Sequence, residues 1–282
     1  MSKINILNFV VLALLLYKAS FLYSNVPDSL FIEKTLKKSY SMDFSTNEEK
    51  LLFFAGAFQG VPYGVGTLEH SAVEQLVVRT DSLDCTTFVE TVTALFLASK
   101  INSSDYSDFC NSLRYVRYRD GVIDGYSSRL HYFSDWVSDN VRKGILYEVT
   151  DDMDHRTRKL SLDYMTSHKE AYKQLRDNPE NISRMRDIES LWSEYEMTYI
   201  PKEHLDKGKT ELCIDNGDII ALTTDIEGLD VVHLGFAYWI DDELHLLHAS
   251  SLKNRVVLDE ESLYHYLMKR KRHTGIRVIR IN

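Results

Sequence analysis

Residues 231–250, VVHLGFAYWIDDELHLLHAS, contain two β-rich runs that are separated by Asp241 and Asp242. An acidic pair between two such runs predicts a two-residue hairpin turn. Because successive residues of a strand point to opposite faces, this turn places His233 and His248 on the same face of the sheet. The two histidines then occupy diagonal positions, roughly 7 Å apart between Cα atoms.

The predicted register sets Ile240 opposite Glu243 and Gly235 opposite His248, whereas His245 faces the other side. Gly235 has no side chain, so we expect room for a helix on the face that carries the two histidines. A turn that is longer or shorter by one residue would move His248 to the wrong face.

A cysteine lies at the predicted start of a helix in residues 82–99, SLDCTTFVETVTALFLAS. Asp84 is a favourable N-cap residue, which places Cys85 in the first helical turn. The positive end of the helix dipole favours a thiolate there, and its free N–H groups can donate to an oxyanion. A cysteine nucleophile needs a base, and the base needs a polar group that orients it. We interpret Cys85 as the nucleophile, His233 as the base and His248 as the orienting residue.

The composition excludes several classes of protein. The chain of 282 residues has 33 Lys and Arg against 42 Asp and Glu, a net charge of −9, which argues against binding to nucleic acid. Three cysteines are too few for a disulfide scaffold, and we expect Cys110 and Cys213 to be buried and unpaired. Because the sequence has no HExxH motif or paired Cys/His spacing, we expect neither a metal nor an organic cofactor.

The N-terminus has the pattern of a signal peptide, which we assign to residues 1–24. Lys3 precedes the apolar run FVVLALLL at 9–16, and small residues follow near position 20. A buried N-terminal helix is the alternative. The segment has no cysteine for lipid attachment, and no later apolar run is long enough to cross a membrane. We therefore expect an exported, periplasmic protein without a membrane span.

The remaining chain, residues 25–282, is expected to form one catalytic domain of the α+β class. Its first part is helical and includes the nucleophile helix at 85–99. Residues 101–200 are expected to form a helical and loop insertion that determines substrate specificity. Residues 212–282 are rich in β-formers and predict the mostly antiparallel sheet that carries the histidines.

Four segments together resemble the NlpC-type cysteine peptidases, which are papain-fold enzymes that cut amide bonds in bacterial peptidoglycan. They are GVPYGVGTLE (60–69), LDCTTFVETVTAL (83–95), HLGFAY (233–238) and HLLHASS (245–251). More narrowly, the chain is similar to N-acetylmuramoyl-L-alanine amidase-like proteins over roughly residues 46–281. This likeness extends to the segments RYRDG (117–121), SRLHYFSDW (128–136), IPK (200–202) and GLDVVHLGF (228–236).

The resemblance implies a papain-like fold in which the nucleophile helix packs on the sheet. It implies the same catalytic roles for Cys85, His233 and His248 that the residue pattern indicates. Tyr63 follows Pro62 in a glycine-rich loop, and in similar enzymes a tyrosine at this point lies near the nucleophile. Its hydroxyl is a candidate oxyanion donor, and a packing role is the alternative.

Several other residues are candidates for binding substrate. Asp84 either only caps its helix, which we favour, or also contacts a polar group of the substrate. In the aromatic and arginine-rich segment 117–136, the candidates are Asp124, Arg129, His131 and Tyr132. Arginine binds carboxylates through two hydrogen bonds, and aromatic rings stack on sugars. Alternatively, this segment is a solvated face packed by its own aromatic residues.

The residue pattern predicts a cysteine hydrolase that acts through a thioester acyl-enzyme. The resemblance implies an amidase that acts on peptidoglycan or muropeptides, with the N-acetylmuramoyl-L-alanine bond as the preferred target. The alternatives are an endopeptidase that cuts between D-glutamate and a diamino acid in the stem peptide, and an acyltransferase. A binding module without catalysis is disfavoured, since the cysteine and both histidines are present.

Overall fold

The computed structural model describes residues 27–69, 71 and 73–282, so the signal peptide predicted at 1–24 lies outside the described residues. Helices and a single eight-stranded sheet make up an α+β fold, as expected. Within the described ranges, no helix is both long enough and apolar enough to cross a membrane.

Ten α-helices and eight strands occur in the described part of the chain. The helices are α1 Asp28–Tyr40, α2 Asn47–Gly56, α3 Cys85–Lys100, α4 Tyr106–Arg117, α5 Phe133–Arg142, α6 Tyr164–Ser167, α7 Lys173–Arg176, α8 Pro179–Ser190, α9 Lys209–Leu212 and α10 Leu263–Met268. The strands are β1 Leu146–Glu148, β2 Arg156–Leu160, β3 Tyr195–Pro201, β4 Ile219–Thr224, β5 Val231–Ile240, β6 Glu243–Ser250, β7 Arg255–Leu258 and β8 His273–Ile281.

The sheet is antiparallel in every described strand pair, with the order β2-β3-β8-β4-β5-β6-β7 and β1 paired to β8. Three of its strands, β1 to β3, come from residues 101–200. The expectation that this segment contains only helices and loops is therefore wrong. The edge strand β2 is largely exposed and has the sequence RTRKL, so it lacks the apolar alternation that predicts a strand.

The hairpin between β5 and β6 has the predicted register. Ile240 pairs with Glu243, and Tyr238 pairs with His245. Asp241 and Asp242 both have positive φ, 47° and 68°, as a type I′ turn requires. The two-residue turn therefore sets which strand residues share a face.

Helix α3 packs on the opposite face of β5 from the one that the sequence predicted. Phe88 meets Phe236 edge-on with ring centroids 5.5 Å apart, and Leu234 belongs to the same core. The space beside Gly235 is filled by Leu246 and the Cβ atom of His248 instead. A small residue thus accommodates the neighbouring strand rather than the helix.

A β-bulge interrupts β5 immediately before His233. Leu222 and Thr223 are consecutive in β4, but their partners are His233 and Val231, which leaves Val232 as an extra residue. A bulge changes the local twist and redirects the neighbouring side chains. The parity of β5 therefore changes at the residue proposed as the base.

All three cysteines are free. Cys110 is half-buried in α4, but Cys213 is exposed and follows α9 with φ 55°. The expectation that Cys213 is buried is wrong, because it directly follows a short helical turn at the surface.

Candidate active site

Cys85 is the first residue of α3, and Asp84 caps the helix as predicted. Asp84 Oδ1 accepts a hydrogen bond from the Thr87 backbone N–H at 2.8 Å, and the Asp84 N–H donates to the Thr87 hydroxyl at 2.9 Å. Because these bonds engage the Asp84 side chain, it serves first to begin the helix at Cys85.

The surroundings of Cys85 favour the neutral thiol. Burial raises the pKa of the Cys85 thiol to about 12, and the negative charge of Asp84 adds to the effect. Hydrogen bonds from the Leu234 and Thr86 backbone N–H groups act in the opposite direction. The loss of solvation therefore outweighs the stabilisation that a helix N-terminus gives to a thiolate.

His233 and His248 are hydrogen-bonded to each other. Nε2 of His233 lies 2.5 Å from Nδ1 of His248, and the two rings are nearly perpendicular. Burial lowers the pKa of His233 well below its usual value, and the neighbouring His248, His273 and Arg270 lower it further. His233 is therefore neutral, and its Nδ1 is the ring nitrogen left for a second partner.

Cys85 and His233 line one cleft of about 530 Å³, measured to its open mouth. The hydrogen bond from Leu234, the residue after His233, brings the sulfur against β5. The cleft is also lined by Glu90, His131, Trp136 and Asp230, among others.

Tyr63 is positioned by backbone pairing with the residue that precedes Asp84. The Leu83 N–H donates to the Pro62 carbonyl, and the Gly64 N–H donates to the Leu83 carbonyl, each at 3.1 Å. Burial raises the pKa of Tyr63 to about 12, and the negative charge of Asp84 contributes. Tyr63 therefore retains its phenolic proton and can donate a hydrogen bond.

His131 is the predicted substrate-binding residue from segment 117–136 that lines the cleft. Its Nε2–H donates to the Tyr126 carbonyl at 2.9 Å, as the neutral ring permits. Burial and the nearby Arg129 hold the pKa of His131 well below its usual value. His131 thus brings a neutral imidazole to the cleft wall.

Arg129 lies outside the set of residues that line the cleft and is engaged by acidic side chains. It pairs with Glu69 at 2.5 Å and lies 3.5 Å from Glu74. Its guanidinium also lies over the ring of Tyr126, 5.1 Å from the centroid. These contacts neutralise the charge that the sequence assigned to substrate binding.

Asp124 and Tyr132 are also not among the residues that line the cleft. Asp124 is exposed in another groove, where it lies 3.6 Å from Arg184. The Tyr132 hydroxyl donates to Glu189 and accepts from the Met165 N–H, so it is satisfied inside a separate core.

Sequence reasoning missed two acidic residues of the cleft. Glu90 is buried and paired with Arg117 at 2.6 Å, and Asp230 accepts hydrogen bonds from the Ser134 and Val231 N–H groups. Glu90 follows Cys85 by little more than one helical turn, which is the signal that could have identified it. Within the described ranges, no group of three His, Cys, Asp or Glu residues is arranged to hold a metal ion.

Comparison with known proteins gives a consistent assignment. An N-acetylmuramoyl-L-alanine amidase from Bacteroides uniformis is 43% identical, with a TM-score of 0.80 over 84% of this chain and 99% of that chain. A Bacteroides fragilis protein provisionally named a xylanase is 46% identical, with a TM-score of 0.76 over 80% of this chain and 99% of that chain.

A Legionella pneumophila protein at 24% identity and a TM-score of 0.67, over 89% of this chain and 94% of its own, shows likeness of fold alone. Among curated proteins, none matches. The N-acetylmuramoyl-L-alanine amidase-like family matches residues 53–276, which is most of the chain. The protein therefore belongs to the N-acetylmuramoyl-L-alanine amidase-like family.

Proposed function

We propose that the protein is a cysteine amidase that hydrolyses the bond between N-acetylmuramic acid and L-alanine in peptidoglycan fragments. The observation that carries this proposal is that Cys85 and His233 line the same cleft, while His248 is hydrogen-bonded to Nε2 of His233. Nucleophile, base and orienting group are the three parts that acyl transfer by a thiol requires.

In the first step, Nδ1 of His233 takes the proton of the Cys85 thiol as the sulfur attacks the lactyl carbonyl carbon. Since both groups are neutral at rest, this proton transfer accompanies the attack. The Cys85 backbone N–H, at the start of α3, and the Tyr63 hydroxyl donate to the oxyanion. Protonated His233 then gives the proton to the departing alanine nitrogen, and a thioester remains.

In the second step, neutral His233 takes a proton from water, and the resulting hydroxide attacks the thioester. The muramyl carboxylate leaves, and the sulfur recovers its proton. The chemistry of both steps is supplied by side chains and backbone of this chain.

The order of the functional segments supports placing the chain with the NlpC-type, papain-like hydrolases. A neutral His131 in the cleft suits hydrogen bonding to the sugar or peptide, with Nε2 already engaged by Tyr126. In this proposal Asp84 begins the helix that carries Cys85, whereas Arg129 and Tyr132 lie outside the set of residues that line the cleft. A peptidoglycan substrate agrees with the export and periplasmic location predicted from residues 1–24.

The name of the Bacteroides fragilis relative raises glycoside hydrolysis as a second candidate. Most glycosidases need two available carboxyl groups that flank the scissile bond. The cleft has Glu90 and Asp230, but Glu90 is paired with Arg117 and Asp230 accepts from two backbone N–H groups. Both are nearly inaccessible to solvent, so the available reactive groups favour the amidase.

A defined disaccharide-peptide substrate, analysed by mass spectrometry, tests the proposal. Release of a stem peptide with a free N-terminal alanine supports the amidase. Release of a sugar that carries a dipeptide supports the endopeptidase, and transfer to an added amine supports the acyltransferase. Xylan serves as the substrate for the glycosidase alternative.

Two cysteine variants complete this test. We expect Cys85→Ala to lower the hydrolysis rate by about 1,000-fold or more. The matched control is Cys213→Ala, because Cys213 is an exposed free thiol in the same chain. Hydrolysis that survives in Cys85→Ala would exclude this thiol as the nucleophile.

A further inference from the structure

A carboxylate lies behind the two histidines. His248 is completely buried, and its Nε2 atom makes no hydrogen bond within the described residues, but Asp259 Oδ2 lies 3.4 Å from it. This separation is longer than a standard hydrogen bond and short enough for a strong electrostatic interaction. Cys85, His233, His248 and Asp259 therefore form a chain of polar groups.

The proposed proton transfer from Cys85 to His233 determines which ring nitrogen of His248 carries a proton. If Nδ1 of His233 is to accept the thiol proton, neutral His233 must carry its own proton on Nε2. That N–H can only donate to an unprotonated Nδ1 of His248, which requires the His248 proton on Nε2. The Nε2–H of His248 then faces the carboxylate of Asp259.

Asp259 is held in place by contacts of its backbone and of its side chain. Its backbone N–H donates to the Leu246 carbonyl at 2.9 Å, and its own carbonyl lies 3.0 Å from His245 Nδ1. Oδ1 accepts from the Glu261 N–H at 3.3 Å and lies 3.4 Å from Lys253 Nζ. These contacts leave Oδ2 directed to His248.

We propose that Asp259 is a positioning residue that holds His248 in the Nε2–H tautomer and thereby orients His233. The inference rests on the cysteine mechanism proposed above. Asp259 takes up no proton during the reaction: the thiol proton moves to His233 and then to the leaving nitrogen. The carboxylate stabilises the positive charge that His233 carries between these two events.

The electrostatics of the site agree with a charged carboxylate at this position. The interaction with the nearby His248 ring holds the pKa of Asp259 well below its usual range, and the charge of Lys253 contributes. Asp259 offsets the cationic groups that otherwise disfavour a protonated His233. The other titratable groups around His233, His248 and Asp259 are Cys85 of α3, Lys253, Glu261, Tyr266 of α10, Arg270 and His273 of β8.

The test compares Asp259→Asn with Asp259→Glu and with Glu261→Gln as the matched control. Glu261→Gln removes one negative charge from the same groove, but its carboxylate pairs with Lys269 and not with His248. We expect Asp259→Asn to lower kcat about 100-fold with little change in KM. Asp259→Glu should recover part of that loss, and Glu261→Gln should retain the activity of the wild type.

The pH profile separates positioning from a purely structural role. Removing the negative charge makes a protonated His233 less stable, so the acidic limb of kcat/KM should move to lower pH in Asp259→Asn. An unchanged kcat and an unchanged acidic limb in the folded variant would overturn the inference.

Nitrogen NMR of protein labelled with ¹⁵N-histidine requires no substrate. The wild type should show His248 protonated at Nε2, and Asp259→Asn should show a mixture of tautomers. If the wild type carries the His248 proton on Nδ1, the inference is wrong even where the variant fails to fold. If the tautomers change as expected but no muramoyl-alanine hydrolysis occurs, the proposed function fails and the role of Asp259 stands.

Discussion

Gly235 lies against His248 so closely that a Cβ atom at position 235 would be 2.9 Å from the His248 Cβ atom and 2.8 Å from the side chain of Leu246. Real Cβ atoms do not approach one another to this distance, so the absence of a side chain at Gly235 lets β6 bring His248 next to His233. The glycine thus couples the packing of two strands to the geometry of the proposed base.

Substitution of this glycine tests the coupling. We expect Gly235→Ala to lower the free energy of unfolding by about 1–3 kcal/mol, because the methyl group overpacks a tight site. We also expect hydrolysis to fall by about tenfold or more, since His248 must shift away from His233. Urea unfolding and kcat measure the two effects, and an active variant with unchanged stability would contradict this account.

The ionisation of Cys85 can be measured by alkylation. In a Cys110→Ser/Cys213→Ser background, the rate of reaction with iodoacetamide should rise continuously above neutral pH, because burial raises the thiol pKa to about 12. His233→Ala should slow the reaction by about tenfold or more near pH 7, since the base is lost. The comparison variant, Cys85→Ser/Cys110→Ser, retains the exposed Cys213 as its sole thiol. A rate for Cys85 that is already constant below pH 7 would indicate a preformed thiolate.

Buried neutral histidines predict a loss of stability in mild acid. Burial lowers the pKa of His273 to about 4 and holds those of His131 and His233 well below 6.5. Between about pH 6.5 and these lower values the unfolded chain binds more protons, so the free energy of unfolding falls as the pH falls.

One variant isolates the contribution of His273. His273→Gln should reduce the slope of unfolding free energy against pH by about 1 kcal/mol per pH unit between pH 6 and 5. His155→Gln, at an exposed position, is the control and should leave the slope unchanged. Urea unfolding at several pH values provides the measurement, and equal slopes in both variants would refute the assignment.

The ion pairs of Arg129 lead to a test of its role. Arg129→Met leaves Glu69 and Glu74 without their cation, so we expect a loss of about 3 kcal/mol in unfolding free energy. Adding Glu74→Gln should recover part of this loss, because it removes one of the uncompensated charges. If stability is unchanged and KM rises instead, Arg129 binds substrate directly.

Local sequence signals predicted several parts of the site correctly. The cap at Asp84 and the position of Cys85 follow from residues that are neighbours in the chain. The contact between His233 and His248 follows from a hairpin whose two-residue turn sets the register.

Predictions that depended on contacts between distant segments were less successful. The packing of α3 was assigned to the wrong face of β5, because strand parity cannot show which neighbour fills the space at Gly235. Nothing in the local pattern indicated the bulge at Val232. The local sequence also gave no sign of the acidic partners of Arg129, which come from residues 69 and 74, about sixty positions earlier.

The amino-acid sequence by itself determined the helix start at Cys85, the hairpin register and the family, because each depends on short-range spacing or on residue identities. Only the tertiary structure decided the protonation of the site. Burial by segments far apart in the chain keeps Cys85 and His233 neutral, and the turn after β7 brings Asp259 behind His248. Solvation and electrostatic interactions depend on distances in space, which adjacent residues do not specify.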